Sequence, residues 1–145
     1  MPDHLVFDRK LLRARRARAA ALGPATFLID RVAGDLAERL SAVLRRFAIA
    51  VDLGTPTDAV RRVLAANDAV GRLISVESAP RPGVDLVADE EALPFRDASL
   101  DLAVSALALQ FVNDLPGALI QLRRALMPPA TRPDLWELRN DRNTR

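Results

Sequence analysis

One short stretch limits what this chain can fold into. Ala48 to Leu53 is an apolar run that ends in Asp52-Leu53-Gly54, and Thr55-Pro56-Thr57-Asp58 then opens a helical stretch, Ala59 to Ala66. Such a run followed by a turn and a helix reads as strand, tight turn, helix. Thr55 suits the N-cap, Pro56 the first helical position, where its missing N–H costs nothing, and Asp58 the third, where a carboxylate favours the helix dipole. Leu73 to Val76, closed by Glu77, gives a second strand, and Val84 to Ala88, closed by Asp89, a weaker third. A helical connection between strands implies a parallel, right-handed crossover. After the loop Leu93-Pro94-Phe95, Leu100 to Leu107 is almost continuously apolar, as parallel strands buried on both faces are. Asn113-Asp114-Leu115-Pro116 introduces a last amphipathic helix through Ala118, Leu119, Leu122 and Leu126, stopped by Pro128-Pro129. The alternation predicts an α/β fold with a mostly parallel sheet flanked by helices.

Two helices precede this core. From Thr26 to Phe47, Phe27, Val32, Leu36, Leu40, Val43, Leu44 and Phe47 recur at helical spacing, weakened slightly by Gly34, and Gly23-Pro24 separates them from an earlier basic segment. That segment crowds Arg9, Lys10, Arg13, Arg15, Arg16 and Arg18 together. It is read as a solvated helix face rather than a phosphate or nucleic-acid contact, because no aromatic residues interleave the arginines. With 145 residues, half of them apolar, the chain suffices for one domain. No apolar stretch reaches the roughly 20 residues of a membrane span and no leader is apparent, so a soluble, cytoplasmic protein is expected. The absence of cysteine and the single histidine, His4, exclude thiolate chemistry and a zinc cluster.

Ligands of open parallel sheets lie beyond the carboxyl ends of the strands, above the first strand-to-helix turn. Here that turn holds Asp52 and Gly54. Glu77 ends the second strand, where a carboxylate can accept both hydroxyls of a ribose, and Asp89 ends the third, where it could accept from an adenine amino group. The ordered set points to a nucleoside site.

The stretch Asp89 to Ser105, containing Leu93-Pro94-Phe95-Arg96-Asp97, and the following Ala108-Leu109-Gln110-Phe111-Val112-Asn113-Asp114-Leu115-Pro116 resemble the class I S-adenosylmethionine-dependent methyltransferase superfamily. Two branches share this segment, the malonyl-carrier-protein methyltransferases of biotin synthesis and the mitochondrial complex I assembly factor that acts as a protein arginine hydroxylase. The opening Phe7-Asp8-Arg9 with its arginine-rich helix is more similar to the second. The resemblance runs from about Val6 to Met127. It implies a Rossmann-like fold with strand order third, second, first, fourth, S-adenosylmethionine bound by Asp52, Gly54, Glu77 and Asp89, Gln110 near the reacting end, and a protein or small-molecule methyl acceptor. A carrier-protein or small-molecule methyltransferase, and a non-catalytic assembly module, remain as alternatives.

Two places depart from the family pattern. The glycine-rich turn carries Pro56 and Asp58 in place of its second and third glycines; a proline lacks a donor, and a carboxylate there would oppose the cofactor's own. After Met127 no further strand is legible. The expected organisation is therefore a partial methyltransferase-like domain over 1–127, with N-terminal helices over 1–47, a cofactor-binding core over 48–127 and an irregular tail over 128–145. A fourth strand left with one bare edge would invite a two-fold dimer through that edge.

Overall fold

The computed structural model describes residues 5–128; His4 and the expected tail beyond Pro128 lie outside them. Four strands, β1 (Phe47–Leu53), β2 (Val70–Glu77), β3 (Leu86–Val87) and β4 (Leu102–Val104), form one parallel sheet in the order β3-β2-β1-β4. The expected fold class and strand order hold. β1 is central because its residues are buried on both faces: Ala50, Val51 and Leu53 are at most 1% exposed. Helices α2 (Phe27–Ser41) and α3 (Ala59–Ala65) cover one face, where Ile29, Leu40, Phe47, Val60 and Leu64 pack together. Helix α4 (Leu115–Ala125) covers the other through Leu122 and Ala125, against Val51, Leu53, Val76 and Leu100. No described helix is long and apolar enough to cross a membrane.

The elements differ from the sequence expectation in three informative ways. Helix α2 stops at Ser41, since Val43 and Leu44 are exposed and cannot extend its buried stripe. Phe47 instead starts β1, its N–H donating to the Ala69 carbonyl at 2.7 Å. The fourth strand is shorter than Leu100 to Leu107. Its ladder ends at Val104 because the chain then bends over the end of β1: the Ser105 hydroxyl donates to the Leu53 carbonyl at 2.8 Å, and Leu107 has a φ of 54°. The third difference concerns the β4 edge. Where the strand enters the sheet, residues 124–127 lie alongside: the Leu100 N–H donates to the Ala125 carbonyl, the Met127 N–H to the Leu100 carbonyl, and Leu100 bridges Leu126 in parallel. That part of the edge is covered by the chain itself.

Helix α1 (Arg9–Leu22) is of another kind. Asp8 caps it, its carboxylate accepting from the N–H groups of Lys10 and Leu11 at 2.9 and 3.0 Å. None of its residues is buried. A helix with no buried apolar stripe is held by something other than the hydrophobic effect.

The α2–α3 layer depends on Leu64, which is fully buried. Leu64→Ala is expected to cost about 2–5 kcal/mol of unfolding free energy in urea, through lost burial and the cavity left behind. A loss under about 1 kcal/mol would show that α3 is not part of the core.

Candidate nucleoside site at the carboxyl ends of the strands

At the end of β1, Asp52 is 3% exposed and accepts a hydrogen bond from the Thr55 hydroxyl, whose oxygen also accepts from the Ala106 N–H at 3.3 Å. Thr55 therefore ties β1 to the segment after β4 and is not the helix cap. Asp58 takes the N-cap position without a side-chain cap bond, while the Thr57 hydroxyl accepts from the Ala59 N–H. The Asp58 carboxylate is exposed and lies 3.4 Å from Arg62, so the anticipated repulsion from Asp58 inside the site does not arise. Burial pushes the Asp52 carboxyl up to about 6, against the opposing pulls of the Thr55 hydroxyl and Arg61.

Gly54 has a φ of 70° and donates to the Val76 carbonyl at 2.8 Å. A Cβ built there would meet Glu90 Oε1 at 2.6 Å. Both the left-handed backbone and this approach require glycine. The carboxylate pressed on the turn is thus Glu90, not Asp58.

Glu77 is buried at the end of β2, and Arg81 four residues later bonds it. The same guanidinium donates to the carbonyls of Pro56 and Thr55 at 2.6 and 2.9 Å, fixing the turn from below. Burial raises the Glu77 carboxyl above its ordinary value, with Arg81 opposing. Asp89 follows β3 in a tight turn bridged to Ala92 rather than ending the strand itself. Its carboxylate accepts from Arg9 at 2.8 Å and from the Glu91 N–H at 2.9 Å, with Arg13 at 3.5 Å. Burial pushes its carboxyl up, but these bonds outweigh burial and hold it below the usual range. Glu90, 1% exposed, is met by Arg9 and, at 3.3 Å, by Arg16. Arg16 also lies over the Phe111 ring at 5.9 Å, and Phe7 meets that ring edge-on at 5.8 Å. Phe7 and Asn113 exchange two hydrogen bonds, Phe7 N–H to Asn113 Oδ1 at 2.8 Å and Asn113 Nδ2 to the Phe7 carbonyl at 3.1 Å.

The structure thus brings Asp52, Gly54, Glu77 and Asp89 to one end of the sheet. Gln110 stands apart: it is exposed, and its amide donates to the Leu107 carbonyl at 3.0 Å. The basic segment is not simply a solvated face, since Arg9, Arg13 and Arg16 are aimed at the acids following β3. Sequence reasoning missed Glu90, Arg81 and this role of the arginines. The signal was there in the spacing: positions 9, 13 and 16 fall on one face of a helix.

A parallel β3-β2-β1-β4 sheet with a positive-φ glycine after β1 and a buried carboxylate ending β2 is a Rossmann-like, nucleoside-binding arrangement, the one found in class I methyltransferases. The pattern of the methyltransferase domain family matches residues 33–130, and the chain belongs to that family. Among curated proteins it is similar to the mitochondrial arginine-hydroxylase NDUFAF5 of Homo sapiens, 34% identical over 85% of this chain and 39% of that protein. The Danio rerio counterpart is 31% identical over 85% of this chain and 42% of that protein. A malonyl-[acyl-carrier protein] O-methyltransferase of Gallionella capsiferriformans is 31% identical over 86% of this chain and 50% of that protein. The chain thus spans half or less of these relatives. Among solved structures it superposes on the methyltransferase held by the Trm112 methyltransferase activator of Haloferax volcanii with a TM-score of 0.61, 25% identical over 83% of this chain and 56% of that one. The [4+2]-cyclase SpnF shares the fold at a TM-score of 0.55 and 23% identity, covering 68% of this chain and 42% of that one.

The raised Asp52 carboxyl has a consequence for stability. Because the folded state binds this proton more tightly than the unfolded chain, its contribution is fully present below about pH 4 and is lost as pH rises through about 6. Asp52→Asn keeps the acceptor for Thr55 and removes the charge. The variant is expected to exceed the parent by on the order of 2 kcal/mol at pH 8, and by almost nothing at pH 4, in paired urea titrations. An equal difference at both pH values would mean that burial of the charge is not what shifts Asp52.

Proposed function

We propose that this chain carries the adenosyl-binding half of an S-adenosylmethionine-dependent, methyltransferase-like protein related to the arginine-hydroxylase branch. The observation that carries the reading is Glu77, buried at the end of β2 one strand from the Gly54 turn and lining a cavity beside α1. The donor and acceptor chemistry fits: Glu77, at the end of β2, and Asp89, in the turn that follows the neighbouring β3, are acceptors suited to ribose hydroxyls and an adenine amino group, and Gly54 keeps the turn free of a side chain. Glu77 would hold the ribose and Asp89 the base, while Asp52, through Thr55, positions the turn. The bound cofactor would supply an activated methyl group on a sulfonium. Holding donor and acceptor in line is then the main task, so a dedicated acid, base or nucleophile among these residues is not required.

The turn limits what can be held beyond the ribose. Pro56 has no N–H, and the carbonyls of Thr55 and Pro56 are already engaged by Arg81. Glu90 takes the space that a larger residue at position 54 would need. This favours an adenosyl ligand recognised chiefly through its nucleoside. The second reading, a binding module without transfer activity, rests on that same crowding.

Calorimetry of the chain with S-adenosylmethionine and S-adenosylhomocysteine tests the reading. Binding of both is expected, and Glu77→Ala should weaken each by about ten-fold or more, as loss of charge-assisted hydrogen bonds does, with unchanged circular dichroism. Unaltered affinity would remove Glu77 from the site.

A further inference from the structure

The edge of the sheet formed by β4 is only partly closed. One side of the strand pairs with β1; on the other, the segment after α4 reaches Leu100 and goes no further. Among the described residues, no strand or bridge lies beside Leu102–Val104 on that outer side. Next to this edge α4 leaves an apolar stripe in the open. Leu115 and Leu119 are 38% and 48% exposed, and with Leu122 and Leu126 they fall on one side of the helix. Between edge and stripe lies an open groove of about 660 Å³, lined by Ala103, Leu119, Leu122, Leu126 and Met127. Two guanidiniums, Arg45 and Arg123, line it as well. Neither is in an ion pair with a described acid. The carboxylate of Asp101, also at the groove, is turned to β1, where it accepts from the Ile49 N–H at 2.9 Å. The groove therefore suits a segment that carries large apolar side chains together with carboxylates.

The chain itself has such a segment. It leaves the described residues at Pro128, which lines the groove. Beyond that point the large apolar residues are Leu135, Trp136 and Leu138, gathered in the run Asp134-Leu135-Trp136-Glu137-Leu138 with a carboxylate before and within it. Residues 129–134 are the tether, enough chain to span about 20 Å when extended. We propose that Asp134 to Leu138 docks in this groove in the same molecule, its apolar side chains on the α4 stripe and its carboxylates toward Arg45 and Arg123. The segment would then cover the open part of the β4 edge, where exposed N–H and C=O groups otherwise invite pairing with another chain. A short tether presents it at an effective concentration of about millimolar, whereas a second copy reaches the groove only at high protein concentration. The inference concerns the face of the sheet covered by α4 and is independent of the adenosyl reading.

Trp136 is the only tryptophan and the chain has no tyrosine, so the fluorescence of the full chain reports on this segment alone. The folded protein is expected to emit at shorter wavelength than the same protein in urea, and acrylamide should quench it several-fold less. Leu119→Glu places a carboxylate in the groove and Arg123→Glu reverses a charge there. Each is expected to shift the emission toward the unfolded value and raise quenching, with unchanged circular dichroism. Ile120→Glu, on the same helix but outside the groove and 59% exposed, should leave both unchanged. Dilution of the parent chain should also change neither, since a tethered contact is unimolecular. The proposal is overturned if Trp136 of the folded chain is quenched as readily as in urea, if its protection survives both groove variants, or if Ile120→Glu removes it equally. Protection that disappears on dilution, as light scattering shows a dimer giving way to a monomer, assigns the groove to a second copy and overturns the proposal as well. Should Leu119→Glu fail to fold, Arg123→Glu, an exposed position, decides the matter.

Discussion

The carboxylate of Glu90 is the point on which the site end of this molecule depends. Removing a carboxylate from water costs several kcal/mol unless it is paired and hydrogen-bonded. Glu90 is almost completely buried, and Arg9 and Arg16 meet it from a helix that has no fully buried residue. The pairing therefore works in both directions. It makes burial of Glu90 tolerable, and it gives α1 its seat. Because Glu90 Oε1 presses on the turn after β1, it also requires a glycine at position 54.

From that point the charges arrange themselves outward in alternation. Arg9 reaches from Glu90 to Asp89, Arg16 from Glu90 to the Phe111 ring, and Arg81 from Glu77 to the turn carbonyls. Each acid expected to meet a nucleoside is thus engaged by a guanidinium. A ligand entering the site exchanges or shares these bonds and does not fill an unpaired set, so its affinity is a difference between similar interactions. Salt is expected to act on α1 more than on the sheet, whose core is apolar.

The sheet was legible in the sequence because its signals are local. The Asp52-Leu53-Gly54 turn, the apolar run into Glu77 and the Asp114-Leu115-Pro116 start of α4 each carry their own chemistry within a few residues. Strand order came with the family resemblance. What failed was set by partners far away in the chain. Phe47 fits a helical stripe with Leu40, Val43 and Leu44, yet its N–H finds Ala69. Leu107 continues an apolar run, yet Ser105 and Ala106 are drawn to Leu53 and Thr55. Glu90 and the α1 arginines stand 74 to 81 positions apart, a separation at which no local rule operates. Asp58 illustrates the converse, since its place in a motif suggested a role inside the site that its exposed side chain does not have.

Arg9 and Glu90 couple α1 to the site end of the sheet. A double-mutant cycle of Arg9→Ala and Glu90→Gln, read by urea unfolding, measures that coupling directly. Arg9→Ala alone is expected to cost about 3 kcal/mol, Glu90→Gln to lower this cost, and the coupling energy to be at least about 1.5 kcal/mol. Additivity of the two substitutions within about 0.5 kcal/mol would contradict it, and would leave α1 without a charge-based attachment to the sheet.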